Sequence, residues 1–250
     1  MTGHIKSHWG TYIVAIGMII IIAVLGYLFY QKNSGTAGNN LDAGGDTAAQ
    51  DANTEFAGLT DTGPVARVNG RNISRERFNI SLAQYINAAQ DQNADLNDAT
   101  LQQQLVEQAL NAVLNTEVLV QNAEQAGITV SADAIEQEVT AIRGRFDSTE
   151  AYQTELAVYL LTESSLREKL WEELMMNQYL ATQADFAAVS ATTAEVDALI
   201  ASVRAAGGQL PPESEIRIRG EEQVIINKQQ TIIENILLAL REKSAIEILI

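Results

Sequence analysis

The 250-residue chain contains no cysteine, and its two histidines, His4 and His8, lie within the first ten positions. Thiol nucleophiles, disulfides and thiolate metal ligands are therefore excluded. The chain beyond residue 8 also lacks the histidine that a Ser-His-Asp triad or a histidine-bearing metal site requires. We predict a protein that is not an enzyme, with no catalytic residue, no metal site and no cofactor.

Basic residues are half as numerous as acidic ones, and 16 Lys+Arg against 32 Asp+Glu give a net charge of −16. Nucleic-acid binding requires basic surface that displaces counterions from phosphates, so we expect no nucleic-acid partner. After residue 63 the lysines are Lys169, Lys228 and Lys243, each in a charged amphipathic context. Such contexts are typical of solvated helix faces, which argues against a Ser-Lys hydrolase.

One long apolar run occupies residues 11–30 (TYIVAIGMIIIIAVLGYLFY), and no charge occurs between Lys6 and Lys32. About 20 apolar residues suffice to cross a bilayer, so the run predicts a transmembrane anchor. Residues 1–10 then form a cytoplasmic stub, and the main body is extracytoplasmic, in the periplasm or at the cell exterior. A cleaved signal peptide is the alternative, disfavoured because no small-x-small cleavage site follows closely.

Residues 31–63 are rich in Gly, Asn, Asp, Ala and Thr and contain almost no large apolar side chains. Such a segment buries too little surface to offset its ordering entropy, so it is predicted to be a flexible linker.

The body from residue 64 is predicted to be mostly α-helical. Val65–Val68 is typical of a short strand that enters an Asn-Gly turn. Capping residues and apolar periodicity then predict a series of helices. These cover residues 75–90 after Ser74, 99–126 before Gly127, 132–143 after Ser131, 149–161 after Ser148, 163–186 after Thr162 and 195–206 after a Thr192–Glu195 capping box.

Beyond a Gly207-Gly208 and Pro211-Pro212 break, the IRIR segment at 216–219 is interpreted as strand-like. Residues 223–243 are predicted to form an amphipathic helix, and the final AIEILI a hydrophobic strand. A strand cannot stand alone in water, so we expect this one to pair with Val65–Val68 in a short two-stranded arrangement.

Five segments resemble the N-terminal module of SurA-type chaperones, a group that includes the membrane-anchored PpiD and PrsA foldases. They are VNGRNIS, NAEQAGITVS, FDSTEAYQTEL, LTESSLREKLWEELMMNQYL and INKQQTIIENILLALREKSAIEILI. The resemblance implies a helical chaperone module at 64–190, completed by the helix and strand of 223–250. Residues 191–222 form a short insert where relatives carry a parvulin prolyl-isomerase domain, so we expect no isomerase activity.

A chaperone module of this kind implies a surface for apolar peptide segments. Methionine and aromatic side chains suit such adaptable contacts. The candidates are Tyr85, Tyr159, Trp171, Met175, Met176 and Tyr179, with Phe146 and Tyr152 as further members of the set. Met176 and Tyr179 are the preferred pair, because Leu166, Leu170, Leu174 and Met175 already fill one stripe of the same helix. The alternative is that most of these side chains belong to the core.

The sequence thus predicts a membrane-anchored extracytoplasmic holdase that binds unfolded or translocating polypeptides, and that contacts the lipid bilayer through residues 11–30. The alternative function is a structural or assembly subunit that docks one fixed membrane-protein partner. An open groove rich in methionine and aromatic residues favours the holdase. A groove closed by the C-terminal segment, or a large flat apolar patch, favours the assembly subunit.

Overall fold

A computed structural model describes residues 62–205, 207 and 212–250. The predicted stub, the predicted anchor at 11–30 and the linker up to residue 61 lie outside the described residues. Within the described ranges, no helix combines the length and the hydropathy that crossing a membrane requires.

The described residues are mostly helical with a small sheet, in agreement with the predicted fold class. The strands are β1 (Ala66–Val68), β2 (Arg71–Ile73) and β3 (Ile246–Ile248). The helices are α1 (Arg75–Asp91), α2 (Ala99–Gln125), α3 (Ala132–Arg143), α4 (Thr149–Val158), α5 (Glu163–Gln183), α6 (Thr193–Ala205) and α7 (Glu213–Arg241), with a 3₁₀ turn at Phe186–Ala188.

These elements belong to two compact units. The sheet unit comprises residues 62–179 and Leu240–Ile250, and the groove unit comprises the described part of Leu180–Ala239. In the sheet unit, α1 packs against α2, and Val139, Tyr152, Leu156, Leu166 and Leu170 of α3, α4 and α5 form a second apolar cluster. The core of the groove unit is built from Val196 and Ile200 of α6 with Ile216 and Val224 of α7.

The predicted return of the C-terminal strand to the start of the body is confirmed. β3 pairs antiparallel with β1, with Ala66 opposite Ile248 and Val68 opposite Ile246. The expectation of a two-stranded arrangement is wrong, because the sheet has the order β2-β1-β3. Asn69 and Gly70 both have positive φ, as a tight hairpin turn requires, so the chain folds straight back into β2.

Side-chain caps place the helix starts where the sequence predicts them. Ser74, Ser131 and Ser148 each accept a hydrogen bond from the backbone N–H three residues ahead. Thr192 and Glu195 form the predicted capping box, in which the Thr192 N–H donates to Glu195 and the Glu195 N–H donates to Thr192 Oγ1. Local hydrogen bonding therefore fixes these boundaries independently of the packing.

Helix ends agree less well with the sequence predictions. α2 ends as expected at Gly127, which has a φ of +75° and a Schellman bond from Ile128 N–H to Ala123 C=O at 3.0 Å. α4 ends at Val158, three residues before the predicted end, because Leu160 takes the left-handed conformation and Leu161 N–H bonds Leu156 C=O at 2.8 Å. No glycine marks this stop. α5 likewise ends at Gln183, before the predicted Phe186.

The strand-like interpretation of IRIR is wrong, because the segment lies inside α7, which begins at Glu213 rather than Gln223. The carbonyl of Pro212 accepts from the N–H groups of Glu215 and Ile216, which starts the first turn. The alternation of isoleucine and arginine places Ile216 in the core and leaves Ile218 exposed, a pattern that a strand would also give. Arg219 and Glu215 pair at 2.5 Å with the i,i+4 spacing of a helix.

Candidate peptide-binding surfaces

The predicted peptide-binding residues of α5 do not share one open face. Met175 is 2% exposed and Tyr179 6% exposed, so neither side chain is available to a ligand in this conformation. Leu166 and Leu170 lie in the cluster with α3 and α4, and nine residues of helix place Met175 and Tyr179 on the opposite side. α5 is therefore buried on two opposite faces, which corrects the expectation that Tyr179 stands open because the leucine stripe is already filled.

The other predicted residues are half-buried, except Tyr152. Trp171 and Met176 remain partly accessible but project from different sides of α5. Tyr85 and Tyr159 are also partly accessible, and burial raises the pKa of both phenols. Tyr152 is buried and packs its ring 5.6 Å from that of Phe146, with the Arg143 guanidinium over it at 5.4 Å. That pair belongs to the core between α3 and α4.

A buried ionic network holds the other side of the sheet unit together. Glu117 of α2 is 2% exposed and lies 2.7 Å from Arg77 of α1 and 3.3 Å from Arg71 of β2. Its other hydrogen bond comes from Gln121 Nε2 at 2.8 Å, and Gln121 also reaches the carbonyl of Val68. Arg77 continues to Glu172 of α5 at 2.5 Å. The network ties the hairpin, α1, α2 and α5 to one buried carboxylate, which is a structural role.

Two further charged groups of α5 are partly buried. Burial lowers the pKa of Lys169 and raises the pKa of Glu173, whose Oε1 atom is buried without a hydrogen-bond partner. Burial also raises the pKa of Glu172, and this effect outweighs the attraction of Arg77.

The groove unit contains an open groove that the sequence prediction missed. It has a volume of about 680 Å³ and lies between the segment from 188 to 199 and the middle of α7. Its apolar walls come from Ala188, Val189, Leu199, Val224 and Ile232, and its polar groups from Ser190, Glu195, Asn227, Lys228 and Thr231. The signal for it was the helical spacing of the five α7 positions, which place one mixed face along the helix.

An ion pair fixes the polar side of this groove. Lys228 Nζ lies 2.9 Å and 3.1 Å from the two carboxylate oxygens of Glu195 and donates to the carbonyl of Ser190 at 2.9 Å. The lysine, together with the Thr192 N–H and hydroxyl, lowers the pKa of Glu195 to about 2. Lys228 therefore joins α7 to the start of α6 instead of standing on the solvated face that the sequence predicts.

This arrangement is suited to binding rather than to chemistry. The groove offers apolar contact to side chains and amide, hydroxyl and carbonyl groups to a peptide backbone, with no histidine or cysteine beside them. Within the part of the chain that the structure describes, no group of His, Cys, Asp or Glu side chains is arranged to hold a metal ion.

Two comparisons with known proteins bear on this arrangement. The family model for the SurA-like N-terminal domain matches residues 1–180. A comparison with curated proteins finds no match to the chain.

Proposed function

Because the chain belongs to the family of SurA-like N-terminal domains, a chaperone-type module, we propose that it acts as a holdase for unfolded or translocating polypeptides. The observation that carries the proposal is the open groove of about 680 Å³ in the groove unit. Apolar walls take up side chains of any similar size, and polar groups bond to the backbone that all peptides share. Binding of this kind needs no nucleotide and no covalent step.

The mechanism is transient burial of an exposed apolar segment of the client. The Lys228–Glu195 pair and the Thr192 cap hold the polar side of the groove in place before the client arrives. A preorganised groove loses less conformational entropy on binding than a mobile one, which favours affinity without sequence specificity. We expect no prolyl-isomerase activity, since no histidine follows His8 and residues 191–222 are too few for a parvulin domain.

The test measures light scattering of an unfolded client as it aggregates in the presence of the full-length chain. We expect suppression at stoichiometric excess. Asn227→Trp fills the groove with an indole and should weaken the suppression, whereas Ile218→Trp, at an exposed α7 position outside the groove, should not. No suppression by the wild-type chain, or equal suppression by the two variants, would contradict the proposal.

We further propose that residues 11–30 anchor the protein, with its body outside the cytoplasm. The run is long enough to cross the hydrocarbon core as one helix. Two arginines near its middle, Ile20→Arg with Ile21→Arg, should release the chain from membranes during alkaline extraction. Retention of this variant in the membrane pellet argues against the anchor.

An exposed apolar end of the sheet favours the alternative of an assembly subunit. Ile248, Leu249 and Ile250 are 55%, 39% and 47% exposed along the edge strand β3. Such an edge suits a fixed partner that pairs with it. Peptides with matched composition and scrambled order separate the two functions. A holdase binds both orders at similar micromolar affinity, whereas an assembly subunit binds one order, and Ile248→Asn abolishes that binding.

A further inference from the structure

The groove face of α7 continues beyond the groove in both directions. The lining residues Val224, Asn227 and Thr231 recur every three or four positions, so they share one side of the helix. Glu221 stands one turn before Val224, and Glu234 stands one turn after Thr231. Both carboxylates are exposed, and Leu238, 60% exposed, follows Glu234 on the same side.

The charges around the groove are unequal. Residues 180–239 contain eight acidic and four basic residues. Two of the basic residues pair with α6, Lys228 with Glu195 and Arg217 with Asp197 at 2.9 Å. Among the described residues, neither Glu221 nor Glu234 takes part in an ion pair or a side-chain hydrogen bond. Each end of the groove face therefore carries one uncompensated negative charge.

We infer that the preferred ligand of this groove is an extended apolar polypeptide segment flanked on both sides by lysine or arginine. The apolar residues of the segment fill the space beside Val224, Leu199 and Ile232, and its basic ends lie at Glu221 and Glu234. This inference rests on the proposed function and adds the substrate class, which the apolar lining alone leaves open. The net charge of −16 acts in the same direction, since it speeds the encounter with basic segments.

The test uses three fluorescent peptides that share one five-residue apolar core and differ in their flanks, which are two lysines, two serines or two glutamates at each end. Binding to the full-length chain is measured by anisotropy in low salt and in 0.5 M salt. We expect affinity to fall in the order lysine, serine, glutamate, with roughly threefold to tenfold between the first two in low salt. Salt should reduce this difference, because the charges at the rim are exposed.

Charge-neutral variants locate the preference. Glu221→Gln with Glu234→Gln should remove most of the advantage of the lysine flanks. Glu222→Gln with Glu242→Gln removes the same charge from exposed positions away from the groove face and should preserve it. Asn227→Trp should weaken binding of the lysine-flanked peptide, as expected for a ligand in the groove.

Each alternative outcome has a distinct meaning. Equal binding of the three peptides overturns the inference and leaves the holdase function standing. An unchanged preference in the Glu221 and Glu234 variant, or unchanged affinity in Asn227→Trp, overturns the assignment to this groove. Failure to bind any of the three peptides contradicts the proposed function and the inference together.

Discussion

Glu117 shows how one buried carboxylate holds several elements of the sheet unit. Its oxygens lie 2.7 Å from Arg77 and 3.3 Å from Arg71, and the hydrogen bond from Gln121 occupies a third direction. Glu117→Gln keeps the shape of the side chain but leaves two guanidinium groups without their shared counter-charge. We expect a loss of about 3 kcal/mol in the free energy of unfolding, measured with urea.

Glu124→Gln is the matched control for this substitution. Glu124 pairs with the same Arg71 at 2.6 Å, but its side chain is 36% exposed. An exposed pair of this kind contributes less than about 1 kcal/mol. Similar losses in the two variants would show that Glu117 has no special structural role.

Glu195 gives the groove unit a dependence on acid. Its pKa in the folded chain is about 2, below the usual 4.5, because Lys228 and the Thr192 cap stabilise the carboxylate. A lowered pKa contributes stability that is complete above about pH 4.5 and is lost as the pH falls toward 2. Glu195→Gln should therefore be less stable than the wild type at pH 7 and equal to it near pH 2, as measured by urea midpoints. A difference that persists at pH 2 contradicts this assignment.

Glu173 should behave in the opposite way. Burial raises its pKa, so the ionised carboxylate destabilises the fold at neutral pH, and protonation relieves that effect as the pH falls. We expect Glu173→Gln to raise the urea midpoint at pH 7, with an advantage that shrinks as the pH approaches 4.5. Glu168→Gln, exposed on the same helix, should leave the midpoint unchanged. A lower midpoint for Glu173→Gln would show that its carboxylate is stabilising.

At the scale of elements, the end of α4 contains a strained residue. Leu160 is exposed and has a φ of +54°, a conformation that is unfavourable for a side chain with a Cβ atom. Leu160→Gly should stabilise the chain by roughly 0.5–1 kcal/mol in thermal or urea unfolding. The equivalent position after α2 is already glycine, so Gly127→Ala should destabilise by about 1 kcal/mol. A loss of stability in Leu160→Gly would show that its side-chain contacts outweigh the backbone strain.

The sequence predicted helix starts better than helix ends, for a physical reason. Ser74, Ser131 and Ser148 cap through their own side chains, so the signal is local and legible. The stop at Leu160 depends on backbone geometry that leucine does not advertise. The IRIR segment was ambiguous because alternate positions are buried and exposed in α7 as they would be in a strand.

At the scale of the whole molecule, the return of β3 was predictable, since a lone apolar strand needs a partner and Val65–Val68 was the available one. The groove was not predictable in this way. Periodicity identifies the apolar face of each helix but not which neighbour covers it. Tyr179 is covered, whereas the face of α7 around Asn227 and Thr231 remains open.

Removal of residues 245–250 tests how much the sheet unit depends on its last strand. Val65 C=O would lose the donor Leu249, Asn69 N–H would lose the acceptor Ala245, and the fully buried Ala66 and Val68 would lose a neighbour. We expect the truncation to cost about 2–4 kcal/mol in the free energy of unfolding. Ile250→Ser, at an exposed position beyond the paired residues, should change it by less than about 0.5 kcal/mol. A truncated chain as stable as the wild type contradicts a structural role for β3.

The position of β3 in the sheet also sets an order in time. Arg67 and its partner Glu247 are 180 residues apart, so β1 is synthesised long before the strand that covers its second edge. At about 5–20 residues per second, the interval is roughly 10–40 s. During that interval the edge of β1 is open to other extended chains. The protein is thus itself an incomplete sheet for most of its own synthesis, the kind of chain that a holdase would protect.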